Sequence, residues 1–237
     1  MSGWAAKRFW QSASVTEAQG GFGIALDGRP VRTPAKRVLV APTKALAERI
    51  AAEWEAQEGV IDPISMPFTR TANAAIDKVA PQHEAVADLL ADYGDSDLLC
   101  YRAEGPDALV HRQSEAWDPL LDWAAETLGA RLRTRVGVMH EAQDPDVLAG
   151  LRARVHALTP FELAAFHDLV SLSGSLILGF AAARDVAPAE ALWKISRLDE
   201  IWQSEQWGED ADAAEAAEIK RLAFLHAKTV FYLAHSG

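Results

Sequence analysis

The sequence predicts an α+β protein: a small N-terminal antiparallel β-rich domain followed by a larger all-helical domain. Three observations carry that prediction. Phe22, Ile24 and Leu26 alternate with small residues ahead of an Asp27-Gly28 pair, the pattern of a half-buried strand entering a two-residue hairpin turn. From Thr43 onward, apolar residues recur at three- and four-residue spacing, the mark of amphipathic helices. After the first of these helices comes an extended connector at 59–67 with two prolines. The expected division is therefore residues 1–66, a β-rich domain with one helix, and residues 67–237, a helical domain.

Taken in order, Gly20-Gly21 marks a turn before the first clear strand, and the chain returns from Asp27-Gly28 through Val31 and Thr33. Pro30 and Pro34 cannot donate to a ladder, so this return strand belongs at an edge. Val38, Leu39 and Val40 suggest a third short strand. Thr43 can cap a helix reaching about Gln57, with Leu46, Ala47, Ile50, Ala51 and Trp54 along one stripe. Further helices are expected at 69–79, 82–93, 113–128, 146–158, 160–183, 188–207 and 211–234, with a candidate strand at 134–140. The longest charge-free run, 169–183, is shorter than the roughly 20 residues that cross a bilayer and is dotted with serine and glycine. It reads as a central helix packed closely against neighbours, not as a membrane insertion.

Composition bounds the function. The chain has 237 residues, 49% hydrophobic and 24% charged, as in ordinary globular domains. A single cysteine, Cys100, leaves no intramolecular disulfide and fits a reducing compartment. The opening MSGWAAKRFWQ lacks a secretory apolar core, so a bacterial cytoplasmic location is expected, or the mitochondrial matrix for a trimmed eukaryotic homologue. Net charge of −11 argues against nucleic-acid binding. The charge is polarised: residues 1–50 carry a net +5 and residues 185–218 a net −8, which could steer a protein partner or, more economically, let the two ends of the chain attract.

Motifs for covalent chemistry are missing. The seven histidines form no HxH or HExxH pair, so no metal is expected. Residues 20–23 are glycine-rich but precede a strand, and no GxxxxGK[ST] run exists, so no nucleotide cofactor is expected. Ser171 to Ser175 sit in a helical pattern, unlike a nucleophile elbow. Cys100, among apolar neighbours, reads as a buried small hydrophobe. No residue is assigned a catalytic role and no small-molecule substrate is expected.

What remains is a contact surface at 196–209, SRLDEIWQSEQWGE. Leu192, Ile195, Leu198 and Trp202 share one apolar stripe, while Trp207 falls with Glu200, Gln203 and Ser204 on the face that should meet water. An indole among acids and amides, one residue before a helix-stopping Gly208, has the composition of a binding hot spot. The candidate partner-binding residues are Arg197, Asp199, Glu200, Glu205, Trp207 and Glu209. Trp117, Trp123 and Trp54 read as packing residues, and Arg8-Phe9-Trp10 as an anchor for the first strand.

Several of these segments occur in a familiar order: Lys7-Arg8-Phe9-Trp10, GGFGIALDGRPVRTPAK at 20–36, AEWEAQ at 52–57, DLLCYR at 97–102, WDPLLDW at 117–123 and SRLDE at 196–200. As an ordered set they resemble the ATP synthase assembly chaperones that act on the alpha subunit, related to mitochondrial complex V assembly factor 2. The resemblance implies a non-enzymatic protein that binds free alpha transiently, before alpha pairs with beta. It also implies importance for Trp54 and for the acid at Asp199, followed here by Glu200. The competing expectation is a small-molecule enzyme with its site between the two domains.

Overall fold

Strand alternation about the Asp27-Gly28 turn builds the N-terminal sheet of the computed structural model, which describes residues 7–208 and 210–235. Strand β1 (Ala13–Ala18) pairs antiparallel with β2 (Gly21–Leu26) along its whole length, from Ala13 opposite Leu26 to Ala18 opposite Gly21. Asp27 and Gly28 both have positive φ, 46° and 79°, as a primed hairpin turn requires. The chain returns as β3 (Arg29–Pro30), and β4 (Val40–Ala41) also pairs with β2, leaving β2 central. Pro30 lies in this short outer strand, where its missing N–H is tolerated. At Gly21 an added Cβ would lie 2.1 Å from the Ala41 carbonyl oxygen, so only glycine fits where β2 passes β4. Strand β1 was not expected from the sequence. It is largely exposed, and Val15 is its one large apolar residue.

Helix α1 (Lys44–Glu55) starts where expected, with Thr43 Oγ1 accepting from the Leu46 amide at 3.2 Å. Leu46, Ala47, Ile50 and Ala51 are buried and the helix packs on β1 and β2. The last turn of α1 organises the segment after it. Glu53 accepts from the Phe68 and Thr69 amides at 2.6 and 2.7 Å and so caps α2 (Pro67–Ala74) from outside. Burial raises the Glu53 pKa against the pull of those donors. Of the three residues expected to anchor the first strand, Trp10 is buried and Arg8 donates to the Glu55 and Gln57 carbonyls at 2.6 and 2.8 Å and to the Glu55 carboxylate at 2.9 Å, whereas Phe9 is largely exposed.

The chain forms two compact units. One comprises the described parts of Met1–His83, Thr159–Ala165 and Thr229–Gly237; the other comprises Glu84–Leu158 and Phe166–Lys228. The second unit contains most of the helices. In order these are α3 (His83–Ala91), α4 (Asp107–Trp123), α5 (Pro145–His156), α6 (Pro160–Ser173), α7 (Leu176–Ala183), α8 (Ala189–Ser196), α9 (Leu198–Trp207) and α10 (Ala211–His235). The first residues of α3 and α6 and the last of α10 fall in the first unit. A two-residue parallel ladder, β5 (Tyr101–Arg102) with β6 (Arg135–Val136), accounts for the strand expected near 134–140. Trp117, Phe166, Leu90, Leu99, Leu151 and Phe224 fill the core of this unit.

Two expected helices are each broken in two. Residues 160–183 do not form one helix: Gly174 takes a left-handed φ of 74° between α6 and α7. Ser173 Oγ turns back to donate to the Leu169 carbonyl at 2.6 Å, and Ser175 Oγ caps α7 by accepting from the Leu178 amide at 2.9 Å. Asp97 holds the break in place. Its carboxylate accepts from the Leu99 amide (3.0 Å), Ser175 Oγ (2.7 Å) and the Ile177 amide (2.9 Å) while wholly buried. The close approach expected of the small residues is present: a Cβ on Gly179 would meet Val170 Cγ2 at 2.6 Å. Residues 188–207 likewise break at Arg197, where Ser196 Oγ donates to the Trp193 carbonyl at 2.7 Å.

Burial outweighs the donors around Asp97 and pushes its carboxyl up to about 6, above the ordinary 3.8. Because the folded value is the higher one, its contribution to stability is complete below the ordinary value and declines as pH rises through 6. Asp97→Ala strands three buried donors and is expected to cost about 3 kcal/mol at acid pH. In urea unfolding, the gap to wild type should narrow between pH 4 and pH 7; a gap that widens contradicts the assignment. Gly179→Ala should cost about 1–3 kcal/mol by overpacking, read in the same assay.

Candidate functional site

Helix α9 carries the candidate residues, and its position results from the break at Arg197. Trp117 Nε1 donates to the Ile195 carbonyl at 3.1 Å, tying the end of α8 to α4. Arg197 then lies over the Trp193 ring, 5.2 Å from its centroid, and donates to Glu200 at 2.8 Å. Leu198 is buried and Trp202 half-buried, as the stripe predicts. Trp207, the last residue of α9, is 79% exposed, and Gly208 comes next with φ of 91°. The expectation of a solvent-facing indole is therefore met.

The structure separates the candidate acids onto two sides of α9. Asp199, Trp202, Gln203, Gln206 and Trp207 line a cleft of ≈ 460 Å³ closed by Pro106 and Leu109. Arg197, Glu200 and Glu205 line a second groove, ≈ 530 Å³, floored by Trp193 and Ile201 and faced by alanines of α10. Glu209 lies outside the described residues. Glu205 is engaged by Arg112, which donates to both carboxylate oxygens at 2.5 and 3.0 Å. That hydrogen bond holds the Glu205 carboxyl below its ordinary range, so the pair's contribution is present at neutral pH and lost as the solution is acidified. Asp199 is half-buried and accepts from Gln113 Nε2 at 2.7 Å.

Gln113 and Arg112 carry no signal in the sequence. Each joins α4 to α9 across some ninety residues (86 and 93), and nothing local marks such pairings. Trp54 belongs to the first unit, where its ring meets that of Trp10 edge-on at 5.3 Å. Its indole nitrogen is buried without a hydrogen-bond partner among the described residues. Cys100 is buried and its thiol is pushed up to about 12 by burial, unlike a reactive thiolate.

Among the described residues no group of three or more His, Cys, Asp and Glu could hold a metal ion, and no helix is long and apolar enough to cross a membrane. What α9 offers is an indole, amides and acids on a helical scaffold, suited to contact with another polypeptide. Residues 7–125 match the family model described as ATP12 chaperone protein. The chain belongs to the ATP12 chaperone family. Protein atp12, mitochondrial, of Schizosaccharomyces pombe is 27% identical over 221 residues, which span 88% of this chain and 76% of that protein. The crystal structure of Atp12 from Paracoccus denitrificans is 51% identical, covers 97% of this chain and 99% of its own, and superposes with a TM-score of 0.95. An aspartate-to-lysine variant of the P. denitrificans Atp12p is 50% identical, with coverage of 97% and 98% and the same TM-score. The family that the ordered motifs resemble is thus the family to which the chain belongs.

Two tryptophans of this ATP12-family chain should respond to truncation very differently in size. Trp207→Ala removes an exposed ring and should change unfolding free energy by no more than about 0.5 kcal/mol. Trp54→Ala removes ring packing against Trp10 and should cost about 3 kcal/mol. Denaturant unfolding of both variants checks this, and equal losses would contradict the placement of Trp207 as a surface residue.

Proposed function

We propose that the protein binds the unassembled alpha subunit of the ATP synthase catalytic head, shields its apolar interface from aggregation and is released when beta pairs with alpha. The observation that carries this reading is Trp207, a large apolar side chain exposed on the same cleft of α9 that the half-buried carboxylate of Asp199 lines. A subunit whose obligate interface is unpaired exposes apolar surface that drives non-specific association. A helper that presents an indole with acids around it can cover part of such a surface. Its own acidic charge keeps it from associating with itself and speeds encounter with a complementary partner. Release requires only that beta compete for overlapping surface, so the cycle needs no bond making or breaking.

Family membership and the ordered motifs support the assignment of an ATP synthase subunit as the client. The choice of alpha rests on the resemblance of the motifs. In this reading Asp199 and Trp207 contact the client from one side of α9 and Glu200 and Glu205 from the other, with Arg197 paired to Glu200; Glu209 joins them on the sequence alone. Trp54 acts through the stability of the first unit.

Mixing the purified protein with unassembled alpha should give co-elution on gel filtration and suppress light scattering. A variant with both Asp199→Lys and Glu200→Lys should keep its circular dichroism spectrum yet lose about tenfold or more in affinity for alpha. A folded double variant that protects alpha as well as wild type would contradict the acidic contact.

A further inference from the structure

The acids of α9 differ in what they already hold. Glu200 is paired with Arg197 at 2.8 Å, and Glu205 is gripped through both oxygens by Arg112. Asp199 has no cationic partner among the described residues. Its Oδ1 accepts from a neutral amide, Gln113 Nε2, at 2.7 Å. Gln113 is itself only 1% exposed, and its Oε1 is committed to the Ala103 amide at 2.9 Å. The amide orientation is thereby fixed, with its NH2 group directed at Asp199. The carboxylate is held in one place by a donor that leaves its charge uncompensated.

The surroundings select what could compensate it. The cleft that Asp199 enters is walled by the indoles of Trp202 and Trp207 and by the amides of Gln203 and Gln206. Indole faces attract cations, and a guanidinium more than an ammonium, because its planar, weakly hydrated group can stack as well as pair. Amide oxygens can take the N–H groups that a carboxylate leaves over. Trp202 already has one guanidinium of its own chain, Arg112, 6.0 Å from its ring centroid, and Glu205 neutralises that cation.

We infer that this cleft is a receptor for an arginine side chain presented by another polypeptide, with Asp199 as its anion and Trp202 and Trp207 as its walls. The inference deepens the chaperone reading and rests on it only for the source of the arginine. It gives α9 a point of specificity: an apolar client surface alone would not dock as well as one that places a guanidinium beside the indoles.

The test uses the full chain and a blocked tripeptide, acetyl-Gly-Arg-Gly-amide, with citrulline and lysine counterparts. Citrulline keeps the shape of arginine and lacks its charge. Indole N–H resonances of Trp202 and Trp207 should shift saturably with the arginine peptide at millimolar concentration, about tenfold more weakly with citrulline, and to an intermediate degree with lysine. Asp199→Asn, which still offers an oxygen to Gln113 and should fold, is expected to erase the preference for arginine over citrulline. An equal response to citrulline, or none to arginine, overturns the inference. Capture of alpha by the wild type is measured in parallel. Saturation by arginine without capture of alpha would sink the functional reading and leave the receptor standing, whereas capture without an arginine response would do the reverse.

Discussion

Asp97 is a charged side chain placed where charge is costly, and much of the second unit is arranged around it. Taking a carboxylate out of water is tolerated only when its oxygens are met by donors. Here those donors come from the Leu99 amide on its own loop and from Ser175 and Ile177 at the start of α7. The same contacts that stabilise the carboxylate stop α6, turn the chain at Gly174 and start α7. Other buried or half-buried polar side chains use the device again. Glu53 caps α2, Gln57 receives the Asp62 amide, Gln113 receives the Ala103 amide, and Gln143 receives the Arg133 amide. In each case a side chain from one element satisfies backbone that its own segment cannot. The connections between helices are therefore held by hydrogen bonds from side chains of other elements.

This bears directly on the proposed docking surface. Helix α9 has little burial of its own beyond Leu198, and its position depends on contacts with α4. Those contacts are polar, Gln113 with Asp199 and Arg112 with Glu205, and the end of α8 just before it is tied to α4 by Trp117 donating to the Ile195 carbonyl. A helix held by directional bonds presents its outer face in a defined orientation, so in the proposed complex the Asp199 carboxylate needs little ordering. Preorganisation of this kind lowers the entropic cost of association.

Features legible in the sequence are those whose causes are local: Thr43 as a cap, Asp27-Gly28 as a turn, Gly208 as a stop, and Trp207 on the wet face of its helix. The fold class is legible in the change of period near Thr43. The breaks at Gly174 and Arg197 are hidden because serine and glycine in an apolar run are compatible with a continuous helix. The break after Ser173 is held by Asp97, some eighty residues away (78 to Ser175 and 80 to Ile177). Strand β1 is hidden for a different reason. An exposed outer strand with one large apolar residue has almost no periodicity to detect. The two sides of α9 are likewise invisible, since sequence places Asp199 and Glu200 together and only tertiary packing assigns them to different clefts.

In the proposed complex, the face of α9 bearing Asp199 and Trp207 is where a client subunit sits. Amide hydrogen exchange of the protein, alone and saturated with unassembled alpha, tests it most directly. New protection is expected in α9 and in the 103–109 segment that lines the cleft. Protection confined to the strands β1 to β4, with α9 exchanging as fast as in the free protein, would contradict it.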